Sequence, residues 1–540
     1  MADPAKKEKT PSEASNESVV GSDFSLEALS RRIGGRQSKE LVIALSGPIG
    51  SGIHTVREQL DLVLKDEGYQ VHIIRVSELI QKFYKDSNNY DEIIDISTEA
   101  LRYKTLMDAG NRLRKNHDQA ICAMLASNQI SIIREEKKQK DKSDGSDHNS
   151  EDKNSSGLNK RVFVIDQLKH PEEIKYLKKI YSGLFYQIGV LCDEQRREVS
   201  LTSNGMDRRD AHELIDRDRK DNESHGQQLE KALLHADFFI NNSDPNSSSI
   251  AALFGRFMKL LHGGRGVTPT KQEIGMYSAY SASMQSACLS RQVGASILDA
   301  DGTILATGRN DVPKFGGGLY SEDDNVSPIS KDYRCVHRDQ QCHNDLHKSI
   351  LTTKVQGVLE GALKQYPEID TADLAQLIHD KTPIKSLIEY SRAIHAEMDA
   401  LISLVRNGKS ISKSATLYTT TYPCHNCARH IITAGIERVV YIEPYEKSLA
   451  IKLHDDALSH SASTCKVSII PFQGIAPKRF QVFFSNTKAS KDERGRMIQT
   501  DKENLLQVDQ EFVDSYLERE DIASAEVLKF LHSEQAAIRP

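Results

Sequence analysis

Four residues in two short segments have the chemistry and the spacing of a metal centre. His395 and Glu397 stand two apart, and Cys424 and Cys427 stand three apart directly after Pro423. Residues three apart share one face of a helix, so the two thiols can bind one ion, and a helix that starts at the proline directs its positive end towards them. One imidazole and two thiolates leave the fourth position of a tetrahedral zinc ion open, which is the arrangement of a catalytic zinc.

Glu397 has a different expected role from the three ligands. Its carboxylate can point into the same pocket without binding the ion, so we expect it to carry protons. Each motif alone has a plainer interpretation, because a lone C-x-x-C can be a redox pair or half of a structural zinc site, and a lone His-Ala-Glu carries little information. Their combination, in the order strand, helix, strand, helix, strand, favours catalysis over a structural zinc.

The combined spacing has a known counterpart. H-x-E followed by P-C-x-x-C is the signature of zinc-dependent nucleobase deaminases. A zinc ion in such a site acidifies a water molecule at neutral pH. We therefore expect hydrolysis at C4 of a cytosine ring. Glu397 would take a proton from the water and return protons to ring N3 and to the departing amine, so that uracil and ammonia result.

The segments around these residues predict one mixed α/β layer. After a junction at "HGGRGVTPTKQE", a helical segment precedes two strands, "QVGASILD" and "TILATGRND". Beyond a long irregular region, each metal motif opens a helix, and strands flank the second of these helices. This alternation predicts a domain at 263–485 that is built around one sheet. The charged, helix-prone residues 486–540 are expected to cap that domain or to form an interface.

A second feature with chemical meaning follows the apolar strand "ELVIALS" near the start of the chain. The loop "GPIGSGIHT" (47–55) fits the first six positions of the phosphate-binding pattern G-x-x-x-x-G-K-[ST]. Ile53 replaces its lysine and His54 replaces its hydroxyl residue. The backbone N–H groups and the helix N-terminus can still hold an anion. The residues expected at this degenerate nucleotide site are Gly47, Gly50, Ser51, Gly52 and Thr55.

The rest of residues 39–262 alternates strands with helices, which predicts a parallel α/β domain of P-loop type. The segments "RYKTLMDAGNRLR" and "RVFVIDQLKHPEE", the latter with Asp166 at a strand end, resemble small nucleotide kinases such as dephospho-CoA kinase. Phosphoryl transfer needs the missing lysine and Mg²⁺. We therefore expect a nucleotide-sensing or scaffolding domain, or a purely structural one, in place of a working kinase.

Residues from about 270 to 480 resemble the deoxycytidylate deaminase branch of the cytidine deaminase superfamily. The resemblance rests on "RQVGASILDADGTILATGRNDVP", "HAEMDAL", "TTTYPCHNCARHIITAGIERVVYIEPY" and "EKSLAIKLHDDAL". It implies a three-layer α/β/α domain with zinc ligands at His395, Cys424 and Cys427 and the acid/base at Glu397. The fusion to a P-loop-like domain is similar to bacterial anti-phage dCTP deaminases. This implies deamination of free dCTP, dCMP or both, which depletes dCTP in phage defence; a housekeeping dCMP deaminase that supplies dUMP is an alternative.

The same resemblance implies substrate contacts. Asn310 falls where the family holds the sugar of the nucleotide. Arg291 and Lys447 are candidates for contacts with the nucleotide or its phosphates. An arginine beside a strand is more often a solvated surface group, and that interpretation stays open for both.

A loop at 332–348 predicts a possible second metal site. Clustered thiols and imidazoles in one irregular segment suggest a structural zinc, and free thiols in a lid over the active site are the alternative. The clustered residues are Cys335, His337, Cys342, His343 and His347.

Length and charge limit the class of protein. A chain of 540 residues predicts two or three domains. The net charge of -6 gives no broad positive field for nucleic acid, and the chain has no Trp for base stacking. Both features count against an editor of nucleic-acid bases, which is the main alternative from another class. An intact Glu397 counts against a non-catalytic, nucleotide-binding regulator.

Composition also bears on location and partners. Eight cysteines are too few for a disulfide scaffold, the opening "MADPAKKEKT" has no apolar signal region, and no apolar stretch has the length of a membrane span. These features predict a cytoplasmic protein. Polar tracts at 1–38 and 136–160 are expected to be disordered. We also expect a homo-oligomer and, because constant loss of dCTP would harm a host, restraint by the N-terminal domain or by an inhibitory partner.

Overall fold

The computed structural model describes most of the chain. The predicted tail at 1–38 and insertion at 136–160 lie largely outside the described residues, as does most of the predicted extension at 486–540. Residues 136–143 are helical, which corrects the predicted start of the insertion. The described residues are 37–86, 94–143, 159–219, 225–244, 247–264, 266–326, 331–411, 413–445, 448–461, 465–485, 491, 493–497, 507–508, 516–525 and 527–528.

The strands of these residues fall into two groups that are separated along the chain by several helices. The first group is β1 (Leu41–Ser46), β2 (Gln70–Arg75), β3 (Arg161–Asp166), β4 (Phe185–Leu191) and β5 (Phe238–Asn241). The second group is β6 (Gly294–Leu298), β7 (Ile304–Arg309), β8 (Thr416–Thr421), β9 (Arg438–Glu443), β10 (Leu458–Ser459), β11 (Val467–Pro471) and β12 (Gly474–Ile475).

Helices connect and cover the strands. In the first part of the chain they are α1 (Ile53–Asp66), α2 (Val76–Asp86), α3 (Glu99–Asn116), α4 (Ile121–Ser143), α5 (Pro171–Tyr181), α6 (Glu194–Ser203), α7 (Arg208–Arg219), α8 (Leu229–Leu233) and α9 (Ser247–Leu261). In the second part they are α10 (Lys271–Ser283), α11 (Asp323–Val326), α12 (Cys335–Arg338), α13 (His343–Ala362), α14 (Thr371–Lys381), α15 (Ala396–Arg406), α16 (His425–Ala434), α17 (Ala450–Leu453) and α18 (Phe480–Phe484). Residues 516–525 are also helical.

The first sheet has the order β12-β5-β4-β1-β3-β2. Its pairs are parallel except for β12 with β5. The central strand β1 reads LVIALS and is buried at every position, as expected for a parallel strand covered on both faces. Its carboxyl end lies beside that of β3, where Leu45 is in register with Asp166. The loop that follows β1 therefore emerges at the edge where ligands bind in open parallel sheets.

The second sheet has the order β10-β11-β9-β8-β6-β7, and β6 is antiparallel to both of its neighbours. Side chains of β6 alternate between two apolar clusters. Ile297 packs in the cluster that contains Ala400 of α15, whereas Leu298 packs in the cluster that contains Met276 of α10. Helices therefore cover both faces of this sheet, and the chain is a mixed α/β protein with two largely parallel sheets.

Segments from the end of the chain pack against the first sheet. The strand β12 extends that sheet at its β5 edge. Phe483 of α18 contacts the rings of Tyr186 and Phe257 in its core. Tyr516 lies in the apolar cluster on the other face of the sheet. The predicted domain 263–485 and the predicted extension beyond it thus both contribute to the fold of the N-terminal half.

Across the described ranges, no helix combines the length and the apolar character that a membrane crossing requires.

Candidate active site

The helix α15 places His395 and Glu397. His395 lies just before its first turn in extended conformation (φ -80°, ψ 151°), and Glu397 lies within that turn. The helix rests directly on β7, because a Cβ on Gly308 would lie 2.2 Å from the backbone N of Ala400 and 2.4 Å from the carbonyl O of Ala396. Glycine at this position therefore fixes how deeply the start of the helix enters the sheet.

The helix α16 places the two cysteines. Cys424 is the extended cap residue (φ -73°, ψ 167°), and Cys427 lies in the first turn and is fully buried. The helix begins at His425, so Pro423 precedes the cap and does not open the helix as predicted. The carbonyl O of Pro423 accepts a hydrogen bond of 2.8 Å from the hydroxyl of Ser448, which ties the approach to the helix to the following segment.

The predicted ligand atoms converge on one point. The Nδ1 atom of His395 lies 3.4 Å from the Sγ of Cys424 and 3.3 Å from the Sγ of Cys427. In tetrahedral zinc sites, Zn–S bonds of about 2.3 Å and Zn–N bonds of about 2.0 Å place nitrogen and sulfur roughly 3.5 Å apart. The three residues therefore fit a zinc ion. Among the residues that the structure describes, His395, Cys424 and Cys427 form the one cluster of at least three potential ligands that could hold a metal ion.

The protonation of the group suits metal binding and proton transfer. A hydrogen bond with Cys427, and then the neighbouring imidazole of His395, lower the pKa of Cys424 to about 4, so this thiolate forms readily. Burial raises the pKa of the Glu397 carboxyl, which is 4 % exposed. A raised pKa brings the carboxyl closer to the range in which a group can both accept and return a proton.

We call His395, Cys424 and Cys427 the metal group. A cavity of about 730 Å³ opens in front of it. Its volume falls in the range of about 300–1,000 Å³ that is typical of small-molecule sites. His395, Glu397 and Cys424 form part of its wall. Arg219 and Lys231, which belong to helices of the first half of the chain, line the same cavity. We call this cavity the interdomain cleft, because both halves of the chain contribute residues to it.

Two of the three predicted substrate contacts lie in the interdomain cleft, but both make bonds within the protein. The amide of Asn310 accepts a hydrogen bond of 2.7 Å from the N–H of Val293 and donates one of 2.8 Å to the carbonyl O of Arg291. The side chain of Arg291 forms an ion pair with Glu443. Asn310 thus positions the segment that carries Arg291. Lys447 lies outside the described residues.

The structure does not gather the predicted second metal set. Cys335 and Cys342 line one small cavity of the irregular loop. His337 instead contacts the side chain of Asn325 at 3.2 Å, and the His347 ring packs against that of Tyr390 with 5.5 Å between centroids. His343 pairs with Asp339 at 2.7 Å. Within the described residues, no group of three potential ligands forms in this loop.

The glycines of the loop at 47–55, which resembles a phosphate-binding loop, pack closely against other protein atoms. Gly50 and Gly52 have φ angles of 77° and 67°. A Cβ would lie 2.7 Å from the carbonyl O of Arg197 at Gly50 and 2.7 Å from the Nδ2 of Asn242 at Gly52. The same Nδ2 donates a hydrogen bond of 2.7 Å to the carbonyl O of Ser51. Internal packing is therefore sufficient to require glycine at both positions.

The remaining predicted residues of the loop are arranged as follows. A Cβ on Gly47 would lie 3.0 Å from Val190 of the neighbouring strand. The hydroxyl of Thr55 lies 3.5 Å from the Nδ1 of His54 at the exposed start of α1. Ile53 packs at the edge of the apolar cluster beneath the sheet. The side chain at the lysine position of the pattern thus packs against the core.

Two residues that sequence reasoning missed contact this loop. The Asp218 carboxylate accepts a hydrogen bond of 2.6 Å from the N–H of Ile49. Lys169 donates to both Asp218 and the carbonyl O of Gly47, each at 2.8 Å. Asp218 is fully buried at the end of α7. The backbone of the loop is therefore hydrogen-bonded to a buried carboxylate and to a lysine from distant segments of the chain. No local sequence motif predicts either contact.

Asp166, the carboxylate at the end of β3, also has a partner within the protein. Asp166 forms an ion pair of 2.6 Å with Arg57 of α1, and both side chains are about nine-tenths buried. A carboxylate held in this way is not free to bind Mg²⁺ for phosphoryl transfer.

Comparison with known proteins relates the second half of the chain to deaminases. The family model "Cytidine and deoxycytidylate deaminase zinc-binding region" matches residues 269–443. The deoxycytidylate deaminase of Enterobacteria phage T2 is 31% identical over 170 residues, which are 32% of this chain and 78% of that protein. That of Enterobacteria phage T4 is 29% identical over 170 residues, with 32% and 76% covered.

Among solved structures, the apo dCMP deaminase of cyanophage S-TIM5 is 19% identical and is matched over 38% of this chain and 100% of its own. The TM-score of this match is 0.21.

Proposed function

Since this chain belongs, through residues 269–443, to the cytidine and deoxycytidylate deaminase family, we propose that it hydrolyses the amino group of free deoxycytidine nucleotides. Membership of the family supports a hydrolase that acts on cytidine nucleotides. The finer proposal is that dCTP, dCMP or both are converted to the corresponding deoxyuridine nucleotides with a zinc cofactor. The relatives in phages T2 and T4 carry the name deoxycytidylate deaminase, which supports a deoxyribonucleotide substrate.

One observation carries the proposal. The imidazole of His395 and the thiols of Cys424 and Cys427 meet at distances that fit zinc, and Glu397 lies beside them in the wall of the interdomain cleft. A structural zinc would instead have four protein ligands and no opening to a cavity of substrate size. The arrangement therefore favours catalysis.

The reaction divides between the cofactor and the chain. Zinc, when bound, supplies Lewis-acid activation of a water molecule. Glu397 accepts a proton from that water and delivers it to N3 of the cytosine ring. The oxygen of the water bonds to C4, and its remaining proton passes through the same carboxylate to the exocyclic nitrogen. The C4–N4 bond then breaks, ammonia leaves, and a carbonyl remains at C4. A buried carboxyl with a raised pKa suits both directions of transfer.

We propose that the reaction lowers dCTP in antiviral defence. The fusion of the deaminase region to a phosphate-loop-like half supports this role, as does the strand, loop and helix order of β1, residues 47–52 and α1. In this proposal the N-terminal half regulates or scaffolds the deaminase and transfers no phosphate. The packing of Ile53 and the ion pair of Asp166 support the absence of kinase chemistry. The homo-oligomer and the inhibitory partner stay predictions.

Product analysis tests the proposal. The zinc-loaded full chain is incubated with dCMP, dCTP, CTP, cytidine and single-stranded DNA, and the products are identified by mass. We expect deoxyuridine nucleotides and ammonia from dCTP or dCMP, and none from the Glu397→Gln variant. Deamination of DNA alone would instead identify an editor of nucleic-acid bases. A cell that expresses the chain should lose dCTP during phage infection, and equal dCTP pools with the wild type and with Glu397→Gln would contradict the defence role.

A further inference from the structure

Part of the wall of the interdomain cleft comes from the first half of the chain. Arg219 is the last residue of α7, and Lys231 lies in α8. Both line the cavity that also contains His395 and Glu397. The family match begins at residue 269, so neither cation belongs to the region shared with the related deaminases.

Arg291, Lys348 and Lys385 also line the interdomain cleft, and each of them is paired with a carboxylate. Arg291 pairs with Glu443. Lys348 lies 2.7 Å from Asp345. Lys385 lies 3.0 Å from Asp380.

Lys231 differs from these cations. Its side chain is exposed, and none of the ion pairs among the described residues includes it. Arg219 lies 3.5 Å from Asp216 on its own helix, in a contact whose carboxylate is 73% exposed. A surface pair of this kind contributes little to stability.

Both cations stand on anchored backbone. Arg219 directly follows Asp218, which is fully buried and bound to Ile49 and Lys169. Lys231 directly precedes Ala232, which is also fully buried. Cations on a fixed backbone lose less freedom when they bind an anion, which favours recognition.

The chemistry of the residues that line the interdomain cleft is complementary to a nucleotide. The carboxylate of Glu397 repels a phosphate, because like charges repel, so this part of the cleft suits the base. Arginine and lysine are the usual partners of phosphate oxygens. On the basis of the proposed deaminase function, we infer that Arg219 and Lys231 bind the phosphates of the substrate, so that the N-terminal half forms part of the active site and selects nucleotides over nucleosides.

Steady-state kinetics of the full chain test this inference. Arg219→Gln, Lys231→Gln and the double variant are compared with the wild type on dCTP, dCMP and deoxycytidine. Charged hydrogen bonds typically contribute enough for a change of about ten-fold or more each. We expect the KM for dCTP to rise by about that factor with kcat nearly unchanged, a smaller rise for dCMP, and no change for deoxycytidine. Lys231→Glu should raise the KM for dCTP further.

Matched controls and a binding measurement separate the inference from the proposed function. Arg209→Gln, at the exposed start of α7, and Lys259→Gln, exposed on α9, should leave every KM unchanged. Calorimetry in the Glu397→Gln background measures dCTP and deoxycytidine binding without turnover, and dCTP affinity should also fall with added salt. Unchanged dCTP affinity in the double variant, or an equal loss for deoxycytidine, would overturn the inference. A wild type that binds dCTP through these cations but deaminates no nucleotide would overturn the proposed function alone.

Discussion

At the scale of single residues, the metal group is tested by removing one ligand at a time. Cys424→Ser or Cys427→Ser should lose zinc, because a hydroxyl is a poor substitute for a thiolate. Activity should fall by at least about 100-fold, since even an outer partner of a zinc ligand contributes about 10 to 100-fold. Metal analysis and a deamination assay measure both effects. Cys465→Ser, at an exposed cysteine, is the control; full zinc content in the ligand variants would rule out the site.

Glu397 calls for a different outcome. Glu397→Gln preserves the shape of the side chain but removes its ability to accept a proton, so zinc should remain bound while kcat falls by about 10² to 10⁴-fold. Metal analysis beside steady-state kinetics separates the two roles. Loss of zinc together with turnover would make Glu397 a ligand, and wild-type turnover would remove it from the mechanism.

The irregular loop at 332–348 bears on how many zinc ions the chain binds. Because its thiols and imidazoles do not converge in the described residues, we expect about one zinc ion per chain, as one site of three ligands requires. The double variant Cys335→Ser, Cys342→Ser should keep that ion and its activity. A wild type with two ions, reduced to one in the double variant, would restore the second site.

The convergence of His395, Cys424 and Cys427 was predictable because its evidence in the sequence is local. H-x-E and C-x-x-C each place their side chains within one helical turn, so spacing alone indicates a shared direction. The surroundings of Asn310 were not predictable in the same way. Its amide is used by the backbone of Arg291 and Val293, and the charge of Arg291 is paired with Glu443, which lies 152 residues further along the chain. No local pattern relates such partners.

At the scale of elements, strand β1 and helix α1 were predictable from an apolar run followed by glycines and a helical pattern. The atoms that fill the loop between them were not. Gly50 and Gly52 were predicted to approach a phosphate. A Cβ added at these positions would instead meet Arg197 and Asn242, which come from segments that follow β4 and β5. These glycines are needed to fold the loop against the sheet, whether or not an anion binds there.

The buried pair of Lys169 and Asp218 makes the loop testable through stability. Its side chains are 11% and 1% exposed. Lys169→Met leaves a buried carboxylate without its cation and should destabilise this half of the chain by about 3 kcal/mol. Hydrogen exchange of residues 47–55 measures the effect, and Lys175→Met, at an exposed lysine, is the control.

A double-mutant cycle gives the decisive comparison for this pair. Adding Asp218→Asn to Lys169→Met removes the unpaired charge, so the double variant should be more stable than the sum of the single effects predicts. Strict additivity would show that the two side chains do not interact. This test is cleaner than Gly52→Glu, which would break the contact between Ser51 and Asn242 regardless of any ligand.

At the scale of the whole molecule, the sequence predicts two α/β halves but not how they exchange segments. The strand β12 and the ring of Phe483 lie in the predicted domain 263–485, beyond the family match at 269–443, yet they complete the first sheet and its core. Pairings over such separations leave no local signal. A fragment of residues 263–540 would carry these segments without the sheet that they cover, so the full chain is the form in which regulation is measured.

The docking of helical residues 516–525 depends on a buried charge network. The Arg134 guanidinium forms ion pairs with Glu520 and, at 2.8 Å, with Glu40. Tyr181 donates a hydrogen bond of 2.5 Å to Glu520, and Tyr516 donates one of 2.8 Å to Glu40. The three charged side chains are at most 5% exposed. The end of the chain is therefore held to the first sheet by bonds that a single charge change can weaken.

We expect Glu520→Gln to loosen this docking by about 2 kcal/mol, the typical contribution of a hydrogen bond to a charged group. Amide exchange in residues 516–525 should then be roughly 30-fold faster. Glu518→Gln changes the same charge two residues away at an exposed position, where the effect should stay within about 0.5 kcal/mol. Zinc content should be unchanged in both variants, because the metal group belongs to the other sheet. Equal exchange rates in the two variants would show that the network does not hold the C-terminal helix, and docking would then rest on the apolar contacts of Tyr516 with the core of the first sheet.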